Sequence, residues 1–102
     1  MNLNLGELVF SKAGRDSGRK FIITSIVDAN YVFIVDGDLR KIEKPKKKKI
    51  KHLELTGIVV DSLSEKLKNN LKVTNSEIRK ALSALEIEAD SSSDRQRDER
   101  PN

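Results

Sequence analysis

Phe21-Ile22-Ile23-Thr24-Ser25-Ile26-Val27-Asp28-Ala29-Asn30-Tyr31-Val32-Phe33-Ile34-Val35-Asp36-Gly37 is two β-rich bursts separated by a polar triplet and closed by Asp-Gly. β-branched and aromatic residues in runs of three to five, bounded by Asp, Asn and Gly, predict strands and turns rather than helix. Asp28-Ala29-Asn30 reads as a short hairpin loop. Asp36-Gly37 reads as a two-residue turn, because Gly takes positive φ without steric cost. Leu39 to Ile42 is then the expected returning strand. Upstream, Leu8-Val9-Phe10 forms a further burst. Downstream, Leu53 and Leu55 alternate with His52, Glu54 and Thr56, the period of a half-buried last strand. Five short strands in about fifty residues predict a small, strongly bent barrel that limits its exposed edges by closing on itself. Residues 1–56 are its expected extent.

The period changes beyond it. Leu63, Leu67 and Leu71, then Ile78, Leu82 and Leu85, recur every three or four residues, one apolar stripe per helix. Ser62 with Glu65, and Thr74 with Glu77, have capping-box spacing. A helical hairpin over 61–87 follows, its stripes packed together or onto the barrel. Residues 88–102 are polar and charged with no apolar residue beyond Ala89, too little to offset ordering entropy, so disorder is expected there.

The charge is uneven. The 102 residues carry a formal +4, yet Arg40 to Lys51 alone holds eight basic residues and one acidic. A loop over 40–51 with that density repels itself unless a polyanion or salt screens it, and closely spaced phosphates would gain counterion entropy by binding there. A second basic segment, Lys12-Ala13-Gly14-Arg15-Asp16-Ser17-Gly18-Arg19-Lys20, joins the first two strands. Two glycines bracket its polar tip, and backbone amides and Arg side chains in such a turn suit phosphate. It is not a nucleotide-triphosphate loop, which needs four residues between the glycines, then Lys and Ser or Thr, then a helix. The candidate contacts to RNA are Lys12, Arg15, Arg19, Lys20, Arg40, Lys41, Lys46, Lys47, Lys48, Lys49 and Lys51. In a meander both segments reach one rim of the barrel, where they would read shape and backbone of a folded RNA. The aromatics Phe10, Phe21, Tyr31 and Phe33 are assigned mostly to the core. Arg79-Lys80 is read as the solvated face of its helix. Pro45 to Lys51 also resembles a monopartite nuclear-import signal, a pattern common by chance.

Catalysis finds no support. The chain has no Cys and one His, His52, so no nucleophile set, thiolate metal site or cofactor site is expected. Asp16, Asp28, Asp36 and Asp38 sit where turns use Asp for local hydrogen bonds. No apolar run is long enough for a membrane span, and the start lacks a signal-peptide pattern. A soluble cytoplasmic protein is expected.

Residues from Leu5 to about Thr56 resemble a KOW-motif domain. The likeness rests on Gly6-Glu7-Leu8-Val9-Phe10, the Lys12–Lys20 segment, Ile22-Ile23 and Val32-Phe33-Ile34-Val35-Asp36-Gly37. It extends to the order Val-Asp-Gly turn, basic stretch, then Lys51-His52-Leu53-Glu54-Leu55-Thr56, as in KOW-domain proteins related to eukaryote-type large-subunit ribosomal proteins. The resemblance implies an SH3-like barrel and contacts to ribosomal RNA through Lys12, Arg15, Arg19 and Lys20. Phe21 departs from the many ribosomal KOW motifs that carry Gly there, and its ring should stiffen the strand. Some KOW domains bind protein, so a protein-interaction module of the transcription or translation machinery, docking through the barrel or the helices, is the alternative.

Overall fold

The computed structural model describes residues 3–85. The expected tail at 88–102, and residues 86 and 87, lie outside them. Five strands form one antiparallel sheet: β1 Glu7–Ser11, β2 Lys20–Ile26, β3 Tyr31–Val35, β4 Lys46–Lys49 and β5 Leu53–Val59. Their order is β4-β3-β2-β1-β5. The register shifts between Glu7 and Val9 on β1 and between Ile23 and Ser25 on β2, and such bulges bend and twist a sheet. A 3-10 turn at Ile50–His52 carries the chain from β4 to β5. The Ile50 amide donates to Asn30 O, and the Lys12 amide donates to His52 O, both at 2.8 Å. The turn thus bridges the two ends of the sheet, giving a small SH3-like five-stranded barrel followed by two helices, the expected mainly β class.

Side-chain alternation sorts the sheet into two faces. Val9, Phe21, Ile23, Val32, Ile34, Ile50 and Leu53 fill the barrel interior. Leu8, Ile22 and Val35 point the other way and are covered by Leu63, Val73, Ile78 and Leu82 from the helical segment. Both faces of the central strands are therefore buried, which is why their sequences are continuous apolar bursts rather than alternations.

α1 spans Asp61–Lys68 and α2 spans Asn75–Ala84. Helices of eight and ten residues are marginal alone and depend on tertiary packing. Burying those four helical-segment side chains is worth up to about 6–12 kcal/mol at ~1.5–3 kcal/mol each, comparable with the whole stability of a small domain. The apolar stripes are thus core. Leu71 is the exception: it lies past the end of α1 and is exposed. The Thr74–Glu77 capping box forms in full. The Ser62–Glu65 box does not, because α1 begins earlier: its N-cap is Val60, without a side-chain cap. The Val60 amide donates to Gly6 O at 3.0 Å, which holds the helix start against β1 and leaves Ser62 inside the first turn.

The β3–β4 connection also differs from expectation. Asp28-Ala29-Asn30 makes its hairpin, with Asp28 Oδ1 accepting from the Asn30 and Tyr31 amides at 2.7 and 2.9 Å. Asp36-Gly37 does not make a two-residue turn, and Leu39 to Ile42 is not a strand; the returning strand is the lysine run itself, Lys46–Lys49. Two interactions, one local and one with α2, outcompete the tight turn. Asp36 Oδ1 accepts from the Asp38 and Arg40 amides at 2.9 and 2.8 Å. The Ile42 amide donates to Asn75 Oδ1 at 2.8 Å, while Ile42 packs on the helix-side core. The segment that would have paired with β3 is tied to α2 instead.

Candidate nucleic-acid interface

β4 is an edge strand of four lysines. Lys is a poor strand former, but charge on an edge discourages pairing with other chains. Its register sets two faces. Lys46 and Lys48 lie opposite Ile34 and Val32, on the barrel-interior side, and both are half-buried. Lys47 and Lys49 lie opposite Phe33 and Tyr31 on the outer side and are exposed. There the Lys47 ammonium sits 4.8 Å from the centroid of the Tyr31 ring.

The Gly14–Gly18 turn connects β1 to β2. Its glycines have φ of +78° and +85°, so the backbone itself demands them. Two ion pairs lace this turn to the β3–β4 connection: Arg19 to Asp36 and Arg40 to Asp16, each at 3.0 Å. Both aspartates are buried, although sequence placed them in ordinary turns. Burial opposes ionisation of Asp36, but hydrogen bonds donated by the Arg40 and Asp38 amides and the Arg19 guanidinium outweigh it and hold its carboxyl below the ordinary aspartate value. A depressed folded pKa contributes stability above the unfolded pKa that is lost as pH falls through the folded one. Asp36→Asn is therefore expected to destabilise the protein by about 1–3 kcal/mol near neutrality and to flatten the acid limb of its stability profile. Urea titrations of both proteins from pH 7 down into the acid range measure this.

Four of the eleven candidate residues thus have internal partners. Arg19 and Arg40 hold the ion pairs; Lys20 Nζ donates to Leu82 O and Lys48 Nζ to Ala13 O, each at 3.2 Å. The side chains of Lys12, Arg15, Lys41, Lys46, Lys47, Lys49 and Lys51 have no hydrogen-bond or ion-pair partner among the described residues. Arg79 is committed too: it donates to Gly37 O at 2.7 Å and ties α2 to the loop. The Lys48–Ala13 bond and the Lys12–His52 bond bring the two basic segments together at one end of the barrel.

At that end lies a cleft of about 830 Å³, with Lys12, Asn30, Tyr31, Lys49, Lys51 and Leu53 in its walls. Tyr31 is one of the four aromatics that the sequence assigns mostly to the core. The structure leaves it half-buried on the outer side while Val32 and Ile34 enter the interior. The signal was the alternation within Tyr31–Val35 itself, which places Tyr31 and Phe33 on the side opposite Val32 and Ile34.

Among the described residues no group of three or more His, Cys, Asp or Glu side chains could hold a metal ion, and no helix is long and apolar enough to cross a membrane. No family model matches the chain. It is 39% identical over 54 residues to the large ribosomal subunit protein eL14 of Desulfurococcus amylolyticus, a match covering 53% of this chain and 56% of that protein. With the large ribosomal subunit protein eL14 of Staphylothermus marinus it shares 32% identity over 59 residues, covering 58% of this chain and 62% of the relative. The matches span little more than half of those relatives, and similarity to an archaeal large-subunit ribosomal protein is what they establish.

Proposed function

We propose that this protein binds structured RNA without catalysis, and that the RNA belongs to the large ribosomal subunit. One observation carries the reading: lysines from two separate segments, whose side chains form no hydrogen bond or ion pair among the described residues, converge at one end of a small barrel. Such an arrangement neutralises a phosphate backbone and orients the protein on it. The similarity to archaeal eL14 supports the ribosomal choice, and the KOW reading of the Lys12–Lys20 turn belongs to the same proposal. In this reading Arg19, Lys20, Arg40, Lys46 and Lys48 shape the interface, and Lys12, Arg15, Lys41, Lys47, Lys49 and Lys51 face the phosphates. The protein-docking alternative loses its main motive, since the helical stripes are buried in the chain's own core.

Co-sedimentation with separated ribosomal subunits across a salt series tests the proposal. Association with the large subunit that weakens steeply with salt is the expected outcome. A folded protein that stays in the supernatant at low salt would refute it.

A further inference from the structure

The geometry points to a subsite for one unpaired nucleotide in the cleft between the β2–β3 hairpin and the 3-10 turn, with the base against Tyr31 and its flanking phosphates on Lys12, Lys49 and Lys51. The inference deepens the RNA-binding proposal and rests on it.

The cleft combines three features. Its volume, about 830 Å³, falls within the ~300–1,000 Å³ of small-ligand sites. Among the described residues its lining includes three lysines and no Asp or Glu. Its apolar lining includes Leu53, Leu55 and Ile50 beside an aromatic residue, Tyr31. Aromatic and apolar surface ringed by cations is what an extruded nucleotide requires: a π-face for the base and positive charge for the backbone on either side. Among the described residues of the lining, Asn30 supplies the side-chain amide, able both to donate to and to accept from a base edge.

The walls are preformed. The Asn30 carbonyl accepts from the Ile50 amide at 2.8 Å, fixing the hairpin to the turn, and the His52 carbonyl accepts from the Lys12 amide at 2.8 Å, fixing the turn to the end of β1. A site held by backbone bonds on both sides loses little freedom when it is occupied. A duplex cannot enter it, because paired bases present only their edges. Occupancy therefore requires a bulged, looped or terminal nucleotide.

The chain has one Tyr and no Trp, so its near-ultraviolet emission reports on Tyr31 alone. The test compares two RNAs of equal length and charge, a perfect duplex and the same duplex with one bulged nucleotide, titrated into the full chain at fixed salt. The expected result is about tenfold tighter binding of the bulged RNA, with quenching of tyrosine emission beyond that caused by the duplex. Tyr31→Phe is expected to keep the preference. Tyr31→Leu, which retains apolar bulk on β3, is expected to bind both RNAs alike. Equal binding of the two RNAs by the unaltered protein, or a bulge preference without quenching, overturns the subsite while leaving RNA binding intact. Failure to bind either RNA at low salt overturns both the subsite and the proposed function.

Discussion

Gly37→Ala is expected to destabilise the protein by about 2–5 kcal/mol, a large share of what a small domain possesses. Two costs add. Gly37 has φ +77°, and a side chain there costs roughly 1–2 kcal/mol. The added Cβ would also lie 2.5 Å from Asn75 O and 3.0 Å from Arg79 Cγ. Asn75 O is backbone of α2, so the helix must shift, at the roughly 1–3 kcal/mol of an overpacked contact. Gly18→Ala is the control. It has φ +85° with nothing within 4 Å of the new Cβ, so only the first cost, about 1–2 kcal/mol, applies. Asn tolerates the left-handed region, yet Gly37→Asn keeps the collision and should not rescue. Urea midpoints of the three variants decide the matter. Equal losses for Gly37→Ala and Gly18→Ala would mean that α2 is not seated on the β3–β4 loop.

Replacing Lys41, Lys47, Lys49 and Lys51 together by Gln is expected to have the largest effect on RNA binding. All four are exposed and, among the described residues, none forms an ion pair. Each substitution should change stability by about 0.5 kcal/mol or less, as for ordinary surface residues, except that of Lys47, which also loses its contact with Tyr31, worth about 0.5–1 kcal/mol. Each phosphate contact adds about 0.7–0.9 to the slope of log affinity against log salt. Loss of four contacts makes that slope shallower by about 3–4, and at ~0.15 M salt it lowers affinity by on the order of 10²–10³. The weakening should be uniform across RNA sequences, because phosphates carry no base identity. Filter binding at several salt concentrations gives both quantities. An unaltered slope would remove the lysine strand from the interface.

Lys46 and Lys48 are poorer choices for that experiment, and the reason shows what sequence could not supply. A run of lysines has no apolar alternation to reveal its inward side. Only the register with β3, Lys46 opposite Ile34 and Lys48 opposite Val32, turns those two toward the barrel. The same register places Lys47 and Lys49 beside Tyr31 and Phe33.

The amino-acid sequence by itself determined the strand bursts of β1, β2, β3 and β5, the Asp28–Asn30 hairpin, the Thr74 capping box and the two helices, because backbone propensity, turn chemistry and apolar period act over a few residues. It also determined the concentration of positive charge. Only the tertiary structure decided that Lys46–Lys49 is a strand, since four poor strand formers extend only where β3 offers a ladder of hydrogen bonds. Only it decided that the helical stripes cover Leu8, Ile22 and Val35. Only it joined Asp16 to Arg40 and Asp36 to Arg19, pairs separated by 24 and 17 residues, and so divided the basic residues into those that hold loops and those left facing solvent. Such pairings depend on where the whole chain closes, and no local pattern encodes that distance.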